Sequence, residues 1–202
     1  YRLPPEFDNQ WPAQIHDVKC AVRHLRAKAG DYGADGRIGV WGASSGGHLA
    51  AMLGVTDSGS GFEGNGGFGG TSSHVDAAVP IGAISDLTQG PAHSELTFLG
   101  GEWTFSSWPG PHAELTNASP ITWASSNDPP FLIVHGDKDT TVFPAQATRL
   151  DDALDNAGAP ATLQIVTNGG HNLDDVGMGT PSHTLAQITD LIADFFDTHV
   201  LN

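Results

Sequence analysis

The segment Gly42-Ala43-Ser44-Ser45-Gly46 sets a serine inside a glycine-flanked turn, directly after the mostly apolar run Arg37-Ile38-Gly39-Val40-Trp41. The run reads as a short buried strand, and the small residues from 45 to 53 read as a helix. A strand, a tight turn and a helix in that order push the serine up at the carboxyl end of the strand, where its hydroxyl can act as a nucleophile. Gly42 and Gly46 are expected to remove β-carbons that would crowd the turn. The helix beginning there would offer the backbone N–H of Ser45 to a developing oxyanion. The chemistry open to such a serine is acyl transfer through a covalent intermediate. In a chain with 26 glycines the G-x-S-x-G spacing alone says little. The strand before it and the helix after it distinguish Ser44 from an ordinary helix cap.

A serine hydroxyl needs a base, and the base needs a group that orients it. The apolar run at 131–135 ends in His135-Gly136-Asp137-Lys138-Asp139, and the strand-like run at 161–166 leads to Asn168-Gly169-Gly170-His171-Asn172. Asp139 and His171 therefore fall in loops at the carboxyl ends of successive strands, the edge where open α/β sheets bind ligands. Asp137 is the alternative acid. It follows the strand end directly, however, and is better suited to tethering the loop, so Asp139 is preferred. His48, one turn into the helix after the serine, and His135 both read as structural.

The elements that must position these residues follow from periodicity and turn chemistry. A helix over about 12–29 would bury Ile15, Val18, Val22, Leu25 and Ala29, and Gly30 and Gly33 would stop it. Residues 57–73 are Gly/Ser-rich and read as a flexible surface loop. A second strand lies within 75–84. Irregular sequence from 86 to 117 carries Phe98, Trp103, Phe105 and Trp108, and Ser119-Pro120 opens a short helix. Pro144 suits the first turn of a helix burying Ala147, Leu150, Leu154 and Ala157 and ending at Gly158. A final helix over about 182–199 would turn Leu185, Ile188, Leu191, Ile192, Phe195 and Phe196 inward. Strands alternating with helices imply one α/β domain over 1–202, with a parallel sheet covered on both faces.

Composition narrows the partners. The formal charge is −15, from 23 acidic against 8 basic residues, which disfavours nucleic acid and anionic membranes. No apolar run approaches the roughly 18 residues of a membrane span. Cys20 is the sole cysteine, so no intrachain disulfide can form, and it reads as a small buried hydrophobe. The 10 histidines show no zinc-like pairing, so neither a metal nor an organic cofactor is expected.

The runs Tyr1-Arg2-Leu3-Pro4-Pro5-Glu6, Asp17-Val18-Lys19 and Gly42-Ala43-Ser44-Ser45-Gly46-Gly47-His48-Leu49-Ala50 resemble the α/β-hydrolase carboxylesterases. The nearest branch is feruloyl and acetyl-xylan esterase-like, with the hormone-sensitive-lipase-like family adjacent. Ala118-Ser119-Pro120-Ile121, Asp128-Pro129-Pro130-Phe131 and His135-Gly136-Asp137-Lys138-Asp139 continue the resemblance. It implies an α/β-hydrolase fold and hydrolysis of carboxylic esters, short acyl, acetyl or feruloyl, on a small molecule or a polymer. It assigns Ser44, Asp139 and His171 as the catalytic residues, and it places Trp103, Trp108 and the Asp86 region near the substrate cleft. Relatives acting on plant polymers are often secreted. A serine peptidase or amidase of the same fold, or a non-catalytic ligand-binding relative, stays open as an alternative.

The sequence departs from that pattern in one respect. Relatives carry a His-Gly-Gly-Gly-type loop ahead of the Tyr-Arg-Leu segment, and its N–H groups complete the oxyanion hole. These residues hold no such loop ahead of Ser44, as though the N-terminal strands were truncated. The strand at 37–41 is then expected to present an apolar edge that calls for a cover, either a second copy of the chain or a complementary N-terminal chain.

Overall fold

A computed structural model of the protein describes residues 11–89 and 113–201. Four strands form a single parallel sheet in the order β1 (Gly39–Ala43), β2 (Ala77–Ile81), β3 (Phe131–Gly136) and β4 (Ala161–Val166). Its helices are α1 (Ala13–Ala27), α2 (Ser45–Val55), α3 (Ala113–Asn117), α4 (Ala145–Ala157) and α5 (Leu185–Phe196).

The continuous apolar run of β3 is explained by burial on both faces, as expected of a central parallel strand. Phe131 and Ile133 point to one side, where they join Ile15 and Val22 of α1, Met52 of α2 and Leu150 of α4. Leu132 and Val134 point to the other, with Val79, Ile81 and Ile188 of α5. α4 ends at Gly158, whose φ of 81° terminates the helix as a left-handed cap. Thr184 and Gln187 form a reciprocal capping box at the start of α5.

β1 sits at an edge: among the described residues it has a strand neighbour on one side only, and Trp41 is 62% exposed. Phe196 and Val200 pack across its backbone at Gly39, where a β-carbon would come within 2.6 Å of the Phe196 ring.

Four expectations are corrected. Leu25 and Leu185 face solvent, at 46% and 61% exposure. Cys20 is only half-buried. The loop at 57–73 is anchored rather than loose, because α1 turns two cations inward. Lys19 is fully buried, and its Nζ donates to Thr56 O (2.9 Å), Glu63 Oε1 (3.1 Å) and Ser73 Oγ (3.0 Å). Arg23 Nη1 meets Glu63 Oε2 at 2.5 Å, and Phe62 is buried beside it in the core. Burial lowers the Lys19 pKa, against the pull of Glu63. Periodicity missed this clasp because it counts apolar residues, and the α1 positions facing the sheet include cations whose partners lie about forty residues away.

Breaking a buried ion pair by removing one partner is costly, because the other charge stays behind. Glu63→Ala is expected to lower the unfolding free energy by about 2 kcal/mol, below the roughly 3–5 kcal/mol of a fully buried pair because Glu63 is partly exposed. Urea titration with a tryptophan fluorescence readout checks it.

Candidate active site

The turn after β1 holds Ser44 at φ 55° and ψ −121°, a left-handed conformation that side-chain-bearing residues rarely adopt. Its N–H bonds Ile81 O of β2 at 2.8 Å, and its carbonyl accepts His48 N at 2.9 Å. A β-carbon at Gly42 would run into the Gly46 carbonyl, so Gly42 is required as expected. Gly46 itself faces open space, and the second close approach is instead at Gly47, where a β-carbon would lie 2.8 Å from Ile81 O. The expectation for Gly46 is therefore displaced by one residue, because the helix packs its next position against β2.

Ser45 is the first residue of α2, so its N–H lies in the first turn of the helix, at the carboxyl end of β1. His48 is buried, with Nε2 2.7 Å from Ala118 O. Burial lowers its pKa to about 4, against that hydrogen bond, so at neutral pH the ring is uncharged and donates from Nε2.

The loops after β3 and β4 are stitched to each other. Gly136 admits no β-carbon, because the carbonyls of Gly169 and Gly170 lie directly against it. Asp137 N donates to Val166 O (3.1 Å), Lys138 N to Gly169 O (2.9 Å), and Asn168 N to Asp137 Oδ1 (2.6 Å). Asp137 is thus the tether between the loops, and Asp139 is the carboxylate that meets the histidine.

Ser44, His171 and Asp139 lie in one hydrogen-bonded line. His171 Nε2 is 3.0 Å from Ser44 Oγ, and its Nδ1 is 2.7 Å from Asp139 Oδ2. An ionised carboxylate only accepts, so the ring proton sits on Nδ1, and Nε2 presents its lone pair to the serine hydroxyl. Asp139 is 3% exposed, and its Oδ1 accepts Thr141 N (2.8 Å) and Val142 N (2.9 Å). Burial pushes this carboxyl up, but hydrogen bonds from His135, His171, Val142 and Thr141 outweigh it and bring the pKa down to about 2.

His135 is the site residue that sequence reasoning passed over as structural. It is fully buried, and its Nε2 lies 3.2 Å from Asp139 Oδ2 and 2.9 Å from Val142 O. Among the described residues, its Nδ1 meets no hydrogen-bond partner. Its place four residues before Asp139, at the end of a buried strand, is the signal that could have marked it.

Asp86 is buried beyond the end of β2. It accepts Thr88 N (3.0 Å) and Oγ1 (2.6 Å), and its backbone N–H donates to Gln146 Oε1 (2.7 Å). Trp103 and Trp108 lie outside the described residues. Among the described residues, no group of three or more His, Cys, Asp or Glu could hold a metal ion, and no helix is long and apolar enough to cross a membrane.

A parallel sheet with helices on both faces, and a strained serine turn leading from one of its strands into a helix, is the build of the α/β-hydrolases. Within that class the chain belongs to the BD-FAE family of esterases, which it matches over residues 1–154. It is 32% identical to Esterase LipQ of Mycobacterium tuberculosis over 180 residues, covering 88% of this chain and 42% of LipQ. It is also similar to the solved structure of a truncated form of a carbohydrate esterase from gut microbiota, with 33% identity and a TM-score of 0.81, over 96% of this chain and 71% of that one. An acetyl ester-xyloside bifunctional hydrolase from Caldicellulosiruptor lactoaceticus superposes with a TM-score of 0.76 at 25% identity, over 94% of this chain and 66% of that one. The chain spans less than half the length of the curated relatives it matches.

The two depressed pKa values act in the same direction on stability. Between about 4 and 6.5 the unfolded chain protonates His48 while the folded chain does not, so stability rises with pH and is lost as pH falls through that window. Asp139 continues the loss from 3.8 down to about 2. The thermal midpoint is expected to fall steadily from pH 6.5 to 4. His48→Gln, which keeps a donor for Ala118 O, is expected to flatten that decline when both proteins are followed by circular dichroism.

Proposed function

We propose that this chain is the catalytic segment of a serine carboxylesterase in which Ser44 is the nucleophile, His171 the general base and Asp139 the residue that orients it. The supporting observation is the line from Ser44 Oγ to His171 Nε2 (3.0 Å) and from His171 Nδ1 to Asp139 Oδ2 (2.7 Å). Both distances lie within the hydrogen-bond reach that proton transfer needs.

In this mechanism Ser44 Oγ attacks the ester carbonyl carbon as its proton passes to His171 Nε2. The carbonyl oxygen becomes an oxyanion, and the Ser45 N–H at the start of α2 donates to it. Collapse breaks the bond to the alcohol oxygen, which takes the proton from His171. Water then gives a proton to the same nitrogen, attacks the acyl carbon and releases the acid, restoring Ser44. Throughout, Asp139 stays ionised and stabilises the imidazolium, consistent with its pKa of about 2.

As substrate we propose a short acyl, acetyl or feruloyl ester carried on a saccharide. The names of the carbohydrate esterase and of the acetyl ester-xyloside hydrolase support this class. A chain of net charge −15 suits a neutral polymer better than an acidic one.

Hydrolysis of 4-nitrophenyl acetate and acetate release from acetylated xylo-oligosaccharide test the reading. Ser44→Ala is expected to abolish both, and to abolish labelling by a fluorophosphonate. Asp139→Asn is expected to lower kcat by about 10⁴-fold, through the wrong histidine tautomer. Equal rates for wild type and Ser44→Ala would overturn the assignment.

His135 enters as a positioning residue, since it reaches the reaction only through Asp139. His135→Leu is expected to lower kcat by about tenfold with little change in KM, because the Asp139 carboxylate loses one of its donors. His135→Gln, which keeps a side-chain N–H, is expected to recover part of that loss. Steady-state kinetics on the same nitrophenyl ester separate the two parameters.

A further inference from the structure

A cavity of about 380 Å³ opens at the end of the sheet opposite Ser44. Thr56 and Asp57 line it from the end of α2, His74 from just ahead of β2, and Trp123, Asn127 and Asp128 from just ahead of β3. α2 runs back from the serine turn for 11 residues, a rise of about 16 Å, so this cavity is separate from the serine's site.

Its walls are held in place. The buried Lys19 ammonium bonds Thr56 O and Ser73 Oγ, the neighbours of Asp57 and His74, and so locks two walls to each other. Trp123 is fixed through Nε1 to Asn117 O (2.8 Å) and edge-on packing against Phe62 (5.2 Å). Asp128 accepts Ser125 N (2.9 Å) and Oγ (2.7 Å), and Asp57 Oδ1 accepts Gly59 N (2.7 Å). A carboxylate has about four acceptor sites, so each keeps capacity for a ligand. Among the described residues, the His74 ring and the Asn127 side-chain amide make no hydrogen bond.

The chemistry of the lining narrows the occupant. The two carboxylates repel phosphates and other anions. Many polar groups beside one indole ring do not suit a wholly apolar ligand. A metal ion lacks its set, because no three His, Cys, Asp or Glu come together among the described residues. A polyhydroxylated neutral ring satisfies all the parts. Its hydroxyls donate to Asp57 and Asp128 and bond the Asn127 amide and the His74 ring, while its C–H face lies on Trp123. The volume lies at the small end of the roughly 300–1,000 Å³ of small-ligand sites, which fits a short saccharide segment.

We propose that this cavity is a second, non-catalytic saccharide-binding site, which docks a sugar unit of the polymer bearing the ester. The proposal rests on the saccharide-ester reading above. A weak contact there raises the local concentration of polymer-linked esters at Ser44 by tethering alone.

The test is a ¹⁵N–¹H NMR titration of the full chain carrying Ser44→Ala with xylotriose, cellotriose, mannotriose and, as a cationic control, choline. The expected result is saturable shifts of the Trp123 indole N–H and of backbone amides in 54–60 and 125–128 with at least one saccharide. Asn127→Ala and His74→Ala, both exposed positions, are expected to weaken that binding about tenfold with unchanged circular dichroism. Absence of saturable shifts at these residues with every saccharide overturns the proposal. So do shifts with choline alone, or binding indifferent to both substitutions. Nitrophenyl acetate turnover by the wild-type chain keeps the two readings apart: shifts without turnover would sink the esterase proposal and leave the cavity, and turnover without shifts would do the reverse.

Discussion

Ser44 carries a side chain at φ 55°, and a residue held in such a region costs on the order of 1–3 kcal/mol and persists only where its surroundings over-determine it. Those surroundings come from the sheet. The bond from Ser44 N–H to Ile81 O extends the β1–β2 ladder one residue past the strand, and Gly42 and Gly47 let strand, turn and helix approach without side chains between them. With α2 packed against β2, the serine hydroxyl points off the carboxyl edge of the sheet, and the loops after β3 and β4 converge on the same edge. The backbone contact of Gly136 with Gly169 and Gly170 fixes the spacing between the loops that bear Asp139 and His171.

The buried charges are organised by the same rule in two places: an ion taken out of water is accompanied by enough hydrogen bonds to keep it ionised. Asp139 receives donors from the Thr141 and Val142 backbone on one oxygen and from two imidazoles on the other. The result is an acceptor that stays charged and holds the His171 tautomer. At the other end of the sheet Lys19 and Arg23 converge on Glu63, and the interaction fastens a loop. One cluster orients the His171 ring. The other sets the shape of a cavity wall.

Family membership and site geometry point to the same chemistry from independent directions. The BD-FAE match covers residues 1–154 and so includes Ser44 and Asp139, whereas His171 lies beyond it and is brought to the serine by the fold. The edge position of β1, with Trp41 turned outward, is the part of the sheet where the described residues leave most to be covered.

Local chemistry was legible from the sequence. Glycine placement, the apolar runs and proline at helix starts determined the strands, the helices and the order serine, aspartate, histidine. The choice of Asp139 over Asp137 also followed, since a residue next to a strand end is drawn into backbone bonding. What the sequence could not carry was any quantity that depends on distant segments meeting. Ser44 and His171 are 127 residues apart, and only the parallel register of the sheet turns their shared edge into a 3.0 Å contact. His135 lay hidden in an apolar run because its partner is defined by how the loop after β3 folds back. Lys19 broke the periodic rule for α1 because its burial depends on Glu63 and Ser73, which the chain supplies from a loop that looked unanchored. Propensity and pattern act over a few residues, whereas hydrogen-bond satisfaction in the interior is settled only when the whole chain has closed around it.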